Sequence, residues 1–176
     1  MKVQILQIEK LQTERLILIP FTAQICKNLI NNDFSDLNRI GLKKGKSWPD
    51  DDVLETLPKI LANLSLVEAP TGFESWLIIK KDTLEIIGDL GFKGFNYEKG
   101  NIDIGYGIIK EERGNGFAEE ATKALIKWAF TEDIVKEITA RCLIDNTGSI
   151  KLLKKLNFNV IKNDNEMIHW SLQKNQ

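Results

Sequence analysis

The stretch Arg113-Gly114-Asn115-Gly116-Phe117-Ala118 constrains this chain more than any other. An apolar, strand-like segment, Asn101 to Ile109, precedes it, and an amphipathic one, Glu119 to Phe130, follows. The order is strand, glycine-rich turn, helix. Such a turn leaves the first N–H groups of the helix without partners and aims them, with the positive end of the helix dipole, at one place. A phosphate is the natural occupant. Gly114 and Gly116 let the backbone approach a bulky anion with no Cβ in the way. A Walker loop is excluded, because it ends in Gly-Lys-Ser/Thr and this turn ends in Gly116-Phe117-Ala118. A dinucleotide fingerprint needs G-x-G-x-x-G in a βαβ unit at the start of the fold, whereas this turn begins at residue 113 of 176 and its glycines do not match.

Period-two runs fill the middle of the chain. Phe73 to Ile79, Leu84 to Phe92 and Ile102 to Ile109 alternate in burial and are joined by short turns, which predicts an antiparallel meander. Gly105 and Gly107 within the last run predict a bulge or a close backbone approach. Arg15 to Ile19 is an earlier strand ended by Pro20, and Thr22 caps a helix through Ile25, Leu29 and Ile30. Val3 to Ile8 is either an edge strand or a disordered lead. A short helical pattern surrounds Phe34, Leu37 and Ile40. Asp50-Asp51-Asp52 opens a helix carrying Val53, Leu57, Ile60, Leu61 and Leu64, with Pro58 predicting a kink or a later start. The same acids also suit the mouth of a site for a cationic amine. Val135 to Ile144 reads as a strand, Asn146 to Leu156 as a helix, and Phe158 to Ile161 and Glu166 to Leu172 as closing strands. The pattern predicts one domain over residues 1–176, α/β (α+β) in class, with a mixed, mostly antiparallel central sheet flanked by helices in three layers.

A formal net charge of −1 argues against nucleic acid as a partner. No segment approaches the ~18 apolar residues of a membrane span, and the N-terminus lacks the apolar core of a signal peptide. Cys26 and Cys142 have no metal-ligand spacing, and His169 is the single histidine, so no metal site is expected. The chain reads as cytoplasmic, a monomer or a homodimer.

Arg113, Gly116 and Ala118 together form Arg-x-x-Gly-x-Ala, which resembles the acyl-CoA pyrophosphate loop of the GNAT superfamily of N-acetyltransferases. A second block, Asp145-Asn146-Thr147-Gly148-Ser149 through Asn157-Phe158, is similar to that family's Asn-x-x-Ser/Ala, short helix, Gly-Phe. Thr13-Glu14-Arg15-Leu16-Ile17-Leu18-Ile19-Pro20-Phe21 is similar to the opening of the RimJ/RimL-like branch, whose members acetylate protein N-termini and some small amines. The resemblance implies a GNAT-like acyl-CoA acyltransferase fold and acetyl-CoA as cosubstrate. It also implies an amine acceptor, either a peptide N-terminus or a small molecule, with a non-catalytic acyl-CoA-binding domain as the reading from another class. In this superfamily the strand before the loop splays from its neighbour and the acyl-CoA arm enters the gap.

The resemblance places acetyl-CoA on Arg113, Gly114, Asn115, Gly116, Phe117 and Ala118. Free backbone N–H groups near Tyr106, Gly107 and Ile108 would polarise the carbonyl, and Asn146 and Ser149 would hold CoA near its thiol. Arg113 either adds charge to the pyrophosphate or is a solvated loop residue. Asp103 matches the acidic position of a Glu-Ile-Gly-Tyr-like segment and is the first candidate for the base, with Asp89 and Glu74 on neighbouring strands ranked below it. Leu153 stands where many members carry a tyrosine acid, so Ser149 is the candidate at the leaving thiolate, against an ordinary role in capping. Trp48, Trp76 and Asp50 to Asp52 are the residues placed to meet an acceptor.

Overall fold

The computed structural model describes residues 10–175; the segment Val3 to Ile8 lies outside them. Among the described residues nine strands form one sheet. In chain order the elements are β1 (Leu11–Gln12), β2 (Leu16–Pro20), α1 (Ala23–Ile30), α2 (Ser35–Arg39), β3 (Lys43–Lys44), α3 (Asp51–Leu64), β4 (Ser75–Lys80), β5 (Glu85–Asn96), β6 (Asn101–Ile108), α4 (Phe117–Ala129), β7 (Glu137–Leu143), α5 (Thr147–Lys155), β8 (Asn159–Asn163) and β9 (Met167–Gln173). A single 3-10 turn, Lys110–Glu112, joins β6 to the glycine loop. The sheet order is β1-β2-β4-β5-β6-β7-β9-β8, with β3 on the start of β5.

The meander appears as expected. β4 pairs antiparallel with β5 and β5 with β6. Its irregularities fall at Ile78/Ile79 and Phe92/Phe95, not at Gly105 or Gly107, which lie in regular pairs with Gly91 and Asp89. A Cβ on Gly105 would meet only the end of Lys93 at 4.0 Å, and one on Gly107 only Asp89 Oδ1 at 3.9 Å. These glycines keep a surface open rather than bending a strand. β3 has no sequence signal beyond Gly45, where a Cβ would stand 2.4 Å from the Ile86 carbonyl oxygen.

β6 and β7 run parallel, and α4 makes the crossover between them. They pair only over Asn101–Ile104 against Glu137–Ala140. Beyond Ala140, β7 pairs with β9 alone, so the sheet splits along a seam between Gly105–Ile108 and Arg141–Leu143. The core fills both faces of the sheet. Trp128 of α4 packs on Phe73, Trp76 and Phe92, with ring centroids 5.3 to 6.5 Å apart. α1 and α3 cover the other face, α1 capped by Thr22, which accepts from Ile25 N–H at 3.1 Å.

α3 starts at Asp51 and runs through Pro58 to Leu64, so the expected later start is not seen. Asp50 caps it, accepting from Val53 N–H at 3.0 Å. Pro58 sits on the exposed side of the helix and has no N–H to give the Leu54 carbonyl one turn back. β8 forms where Phe158 to Ile161 predicted a strand, and it is exposed at all five positions, with Val160 and Ile161 51% and 61% accessible.

Candidate active site

The glycine loop connects the end of β6 to α4. Gly114 and Gly116 take φ of +80° and +79°, a region costly for residues with a Cβ. Gly116 is the N-cap of α4 and supplies no side-chain cap. The first bond of the helix is Glu120 N–H to the Gly116 carbonyl at 3.0 Å, so the N–H groups of Phe117, Ala118 and Glu119 have no partner within the helix. A Cβ at Gly114 would meet nothing within 4 Å. The loop is thus an open cradle of donors at a positive helix end, which suits a phosphate.

The opening segment holds this cradle in shape, a role that no sequence pattern revealed. Arg15 Nε donates to Glu120 Oε2 at 2.7 Å, its backbone N–H to Glu120 Oε1 at 2.8 Å, and its Nη1 to the Asn115 carbonyl at 3.0 Å. The guanidinium lies 4.5 Å from the centre of the Phe117 ring. Thr13 Oγ1 donates to Glu120 Oε1 at 2.6 Å. Burial works against the charged form of Glu120, but the hydrogen bonds from Thr13 and Arg15 outweigh it and bring its pKa below the ordinary value. Arg113 points the other way, its Nε donating to the Ile108 carbonyl at 2.8 Å.

The seam has its own free donors. Ile109 N–H bonds the Ile87 carbonyl of the chain leading into β5's centre at 2.9 Å, and Ile108 pairs with Gly88, Gly107 with Asp89 and Tyr106 with Leu90. Alternation along an antiparallel strand then turns the N–H groups of Tyr106 and Ile108 away from β5, toward the seam. The Tyr106 side chain shares the α4 face of the sheet with Leu90 and Trp76, its neighbours in register. Its hydroxyl is buried with no partner in hydrogen-bonding geometry, although the Ser149 hydroxyl lies beside it. Burial pushes the phenol up, and the neighbouring Ser149 lowers it in part. Asn146 caps α5, accepting from Ser149 N–H at 3.0 Å. Leu153 is 1% exposed and belongs to the core.

On the opposite face a cleft of 260 Å³ reaches the seam. Gly91, Gly105 and Gly107 line it, together with Trp48, Asp50, Asp52, Asp89 and Arg113. Asp89 belongs to β5 and its Oδ1 lies over Gly107. Burial, then Asp50, then Asp52, push its carboxyl up from 3.8 to about 7. Asp103 stands elsewhere. It lines a larger, adjoining cleft of 820 Å³, receives a hydrogen bond from Thr139 Oγ1 at 2.9 Å, and pairs with Lys93 at 3.0 Å and Arg141 at 3.5 Å. Glu74 is buried and held by Thr71 through its N–H and hydroxyl, both at 2.8 Å. Trp76 is fully buried and donates to the Gly72 carbonyl at 2.9 Å. His169 lies 3.1 Å from Asp164, and both cysteines are buried. Among the described residues no cluster suits a metal ion, and no helix is long and apolar enough to cross a membrane.

The cleft therefore brings together Asp89, Asp50, Asp52, Arg113 and the seam residues Tyr106 and Ile108, with Ser149 beside the Tyr106 hydroxyl and the glycine loop following β6. Asp103 stays in a charge network beside that cleft.

A family model described as an acetyltransferase (GNAT) domain matches residues 15–159. The uncharacterized N-acetyltransferase YjdG of Bacillus subtilis (strain 168) is 37% identical over 160 residues, 91% of this chain and 95% of YjdG. Among solved structures, RimL, a ribosomal L7/L12 alpha-N-protein acetyltransferase in complex with coenzyme A, superposes with a TM-score of 0.67 at 18% identity, covering 94% of this chain and 98% of its own. The ribosomal-protein-S5-alanine acetyltransferase from Vibrio fischeri gives 0.67 at 15% identity, covering 95% and 97%.

Proposed function

The chain belongs to the GNAT acetyltransferase family and is an acetyltransferase, and from that premise we propose that it carries acetyl from acetyl-CoA to a primary amine seated in the cleft above Asp89. The observation that carries this reading is Asp89 itself: a carboxylate with its pKa raised to about 7, over a glycine floor beside the open seam. A general base works best with a pKa near the operating pH.

The donors of the loop from Gly114 to Ala118 hold the pyrophosphate, with Arg113 beside them and Arg15 fixing their shape. The N–H groups of Tyr106 and Ile108 polarise the acetyl carbonyl, an oxyanion role worth several kcal/mol when the donors are fixed beforehand. The acceptor arrives as an ammonium ion and gives a proton to Asp89. Its freed lone pair forms the N–C bond, the C–S bond breaks, and sulfur leaves with the electron pair. The nitrogen, now cationic, loses its second proton, and the Ser149 hydroxyl, with the Tyr106 phenol beside it, relays that proton to the sulfur. Tyr106 thereby supplies the phenol that Leu153 lacks. Asp103 serves to hold Lys93 and Arg141 rather than to take the proton, and Asn146 holds the α5 start on which Ser149 sits.

The acceptor is a protein N-terminal α-amine if the chain follows the acceptor named for RimL, or a small amine if the cleft's size governs. The protein works in the cytoplasm as one domain. Free-thiol release from acetyl-CoA with a panel of amines and short peptides tests the reaction. Asp89→Asn is expected to lower kcat/KM by ~100-fold or more, and Asp103→Asn to change it little. The reverse order of effects would return the base to Asp103.

A further inference from the structure

We propose that the acceptor carries a carboxylate beyond its amine, and that Lys93 and Arg141 hold this carboxylate in a third cleft beside the one above Asp89. This rests on reading the cleft above Asp89 as the acceptor site.

Charge changes sign along the open face of the sheet. Asp50, Asp52 and Asp89 line the 260 Å³ cleft. A neighbouring cleft of 390 Å³ is lined by Lys93, Arg141, Thr139 and His169, and among the described residues its single acid is Asp103. Lys93 lines both clefts. The strands set these groups in a row. Asp89 Oδ1 lies 3.9 Å from where a Cβ of Gly107 would stand, and Lys93 Cε lies 4.0 Å from that of Gly105. Asp103 pairs with Thr139 in the parallel register, so Arg141, two residues on, emerges on the same face, across the split from Gly105.

The second observation is how the two cations are paired. Both face one oxygen, Asp103 Oδ2, with Lys93 Nζ at 3.0 Å and Arg141 Nη2 at 3.5 Å. Asp103 Oδ1 takes the Thr139 hydroxyl at 2.9 Å. Among the described residues neither cation has a second acid within ion-pair distance, and Oδ2 receives no hydrogen bond. One carboxylate thus balances half of the positive charge, and it does so without taking up the N–H groups of either head. The side chains are 56% and 49% exposed, so both heads are open to the cleft. A structural ion pair with Asp103 explains one cation and leaves the other over. A guanidinium beside an ammonium, with donors to spare, suits a carboxylate of the ligand.

Spacing then narrows the acceptor. Gly105 and Gly107 are two residues apart on one strand, roughly 7 Å. That is the reach of an unbranched amino acid of about five carbons with its amine and carboxylate at opposite ends. An α-amine and an acidic side chain at the second position of a peptide reach as far, so the carboxylate has two sources. Either acceptor sets its ammonium among acids and its carboxylate between cations. Reversed, each end meets like charge, so the orientation is fixed before transfer.

The test measures thiol release from acetyl-CoA in two matched pairs, with the full-length protein and its Lys93→Gln and Arg141→Gln variants. One pair is 5-aminopentanoate against pentylamine. The other is a tripeptide amide with glutamate at its second position against the same peptide with glutamine there. In at least one pair the carboxylate-bearing amine is expected to exceed its neutral counterpart in kcat/KM by roughly tenfold or more, through KM rather than kcat. Each variant is expected to lower that ratio by roughly threefold or more and to leave the neutral amine's kcat/KM unchanged. The pair that shows the preference names the source of the carboxylate. Circular dichroism and calorimetric binding of acetyl-CoA verify that the variants are folded. No preference in either pair, no release with any of the four amines, or a preference that survives in both folded variants overturns the inference. Release that ignores the carboxylate leaves the acetyl transfer standing. Absence of acetyl-CoA binding by the unaltered protein overturns the transfer reading and the inference together.

Discussion

Asp89→Asn is expected to make the protein more stable while it disables the chemistry. In the folded chain the Asp89 carboxyl titrates at about 7, against 3.8 for the free group. A carboxyl raised on folding binds more protons in the native than in the unfolded state between those values. Stability therefore falls as pH rises from about 4 to about 7 and stays low above that. The gap, at about 1.4 kcal/mol for each pH unit, caps the cost of holding the charged form at about 4 kcal/mol. Water in the cleft screens part of it, so the realised cost is on the order of 2 kcal/mol. Asparagine has nearly the same shape and no charge to desolvate. For a chain of this length 2 kcal/mol corresponds to a rise in Tm of roughly 4 to 8 °C. Thermal melts at pH 8 and pH 5 read the effect. The variant is expected to melt higher at pH 8, with less than half the free-energy gain at pH 5, where native Asp89 is already protonated. Its rate of thiol release should fall by ~100-fold or more. A variant that melts at or below the unaltered protein at pH 8 would refute the assignment of a desolvated charge flanked by acids to Asp89.

Five further substitutions probe the loop and the seam. Glu120→Gln should destabilise the fold by about 1–3 kcal/mol and raise the KM for acetyl-CoA, because it loosens Thr13 and Arg15. The Glu120 pKa is lowered on folding, so the clamp's contribution is complete above the ordinary carboxyl value and disappears as pH falls through the lowered one; the difference between the two proteins' melts should therefore narrow in acid. Gly116→Ala forces a Cβ into φ of +79°, a cost of about 1–2 kcal/mol, and Gly116→Trp should abolish acetyl-CoA binding measured by calorimetry. Tyr106→Phe and Ser149→Ala should each lower kcat with less change in the KM for acetyl-CoA; unchanged kcat in both would remove the pair from the leaving-group role.

The sheet was legible because its signals are local. Alternation along Phe73–Phe92, the caps at Thr22 and Asp50, and the glycines of the loop each act within a few residues. The clamp from Arg15 to Glu120 was not, since it joins positions 105 apart in sequence. The opening segment was recognised as a motif, and its purpose appears only when β2 lies beside α4. Asp89 and Asp103 illustrate the same limit. Both are single aspartates on neighbouring strands, and only the packing of α3 over β5 decides which one meets two more acids and which one meets Lys93 and Arg141. Gly105 and Gly107 were read as backbone devices, whereas they serve as absent side chains. Pro58 was read as a kink or a later start, but the Asp50 cap and the buried Val53, Leu57, Ile60 and Leu64 start the helix ahead of it and carry it past.

The split between β6 and β7 gives the middle of the sheet the properties of its rim. The amides of Tyr106 and Ile108, although central in strand order, should exchange with deuterium as readily as those of an outer strand, while their neighbours Gly107 and Ile109 remain protected by β5. Such open ladders ordinarily invite pairing with another chain. Here the open stretch is only about four residues long, Gly105–Ile108, before the chain turns away at Lys110, too short a ladder for a foreign strand to pair with stably.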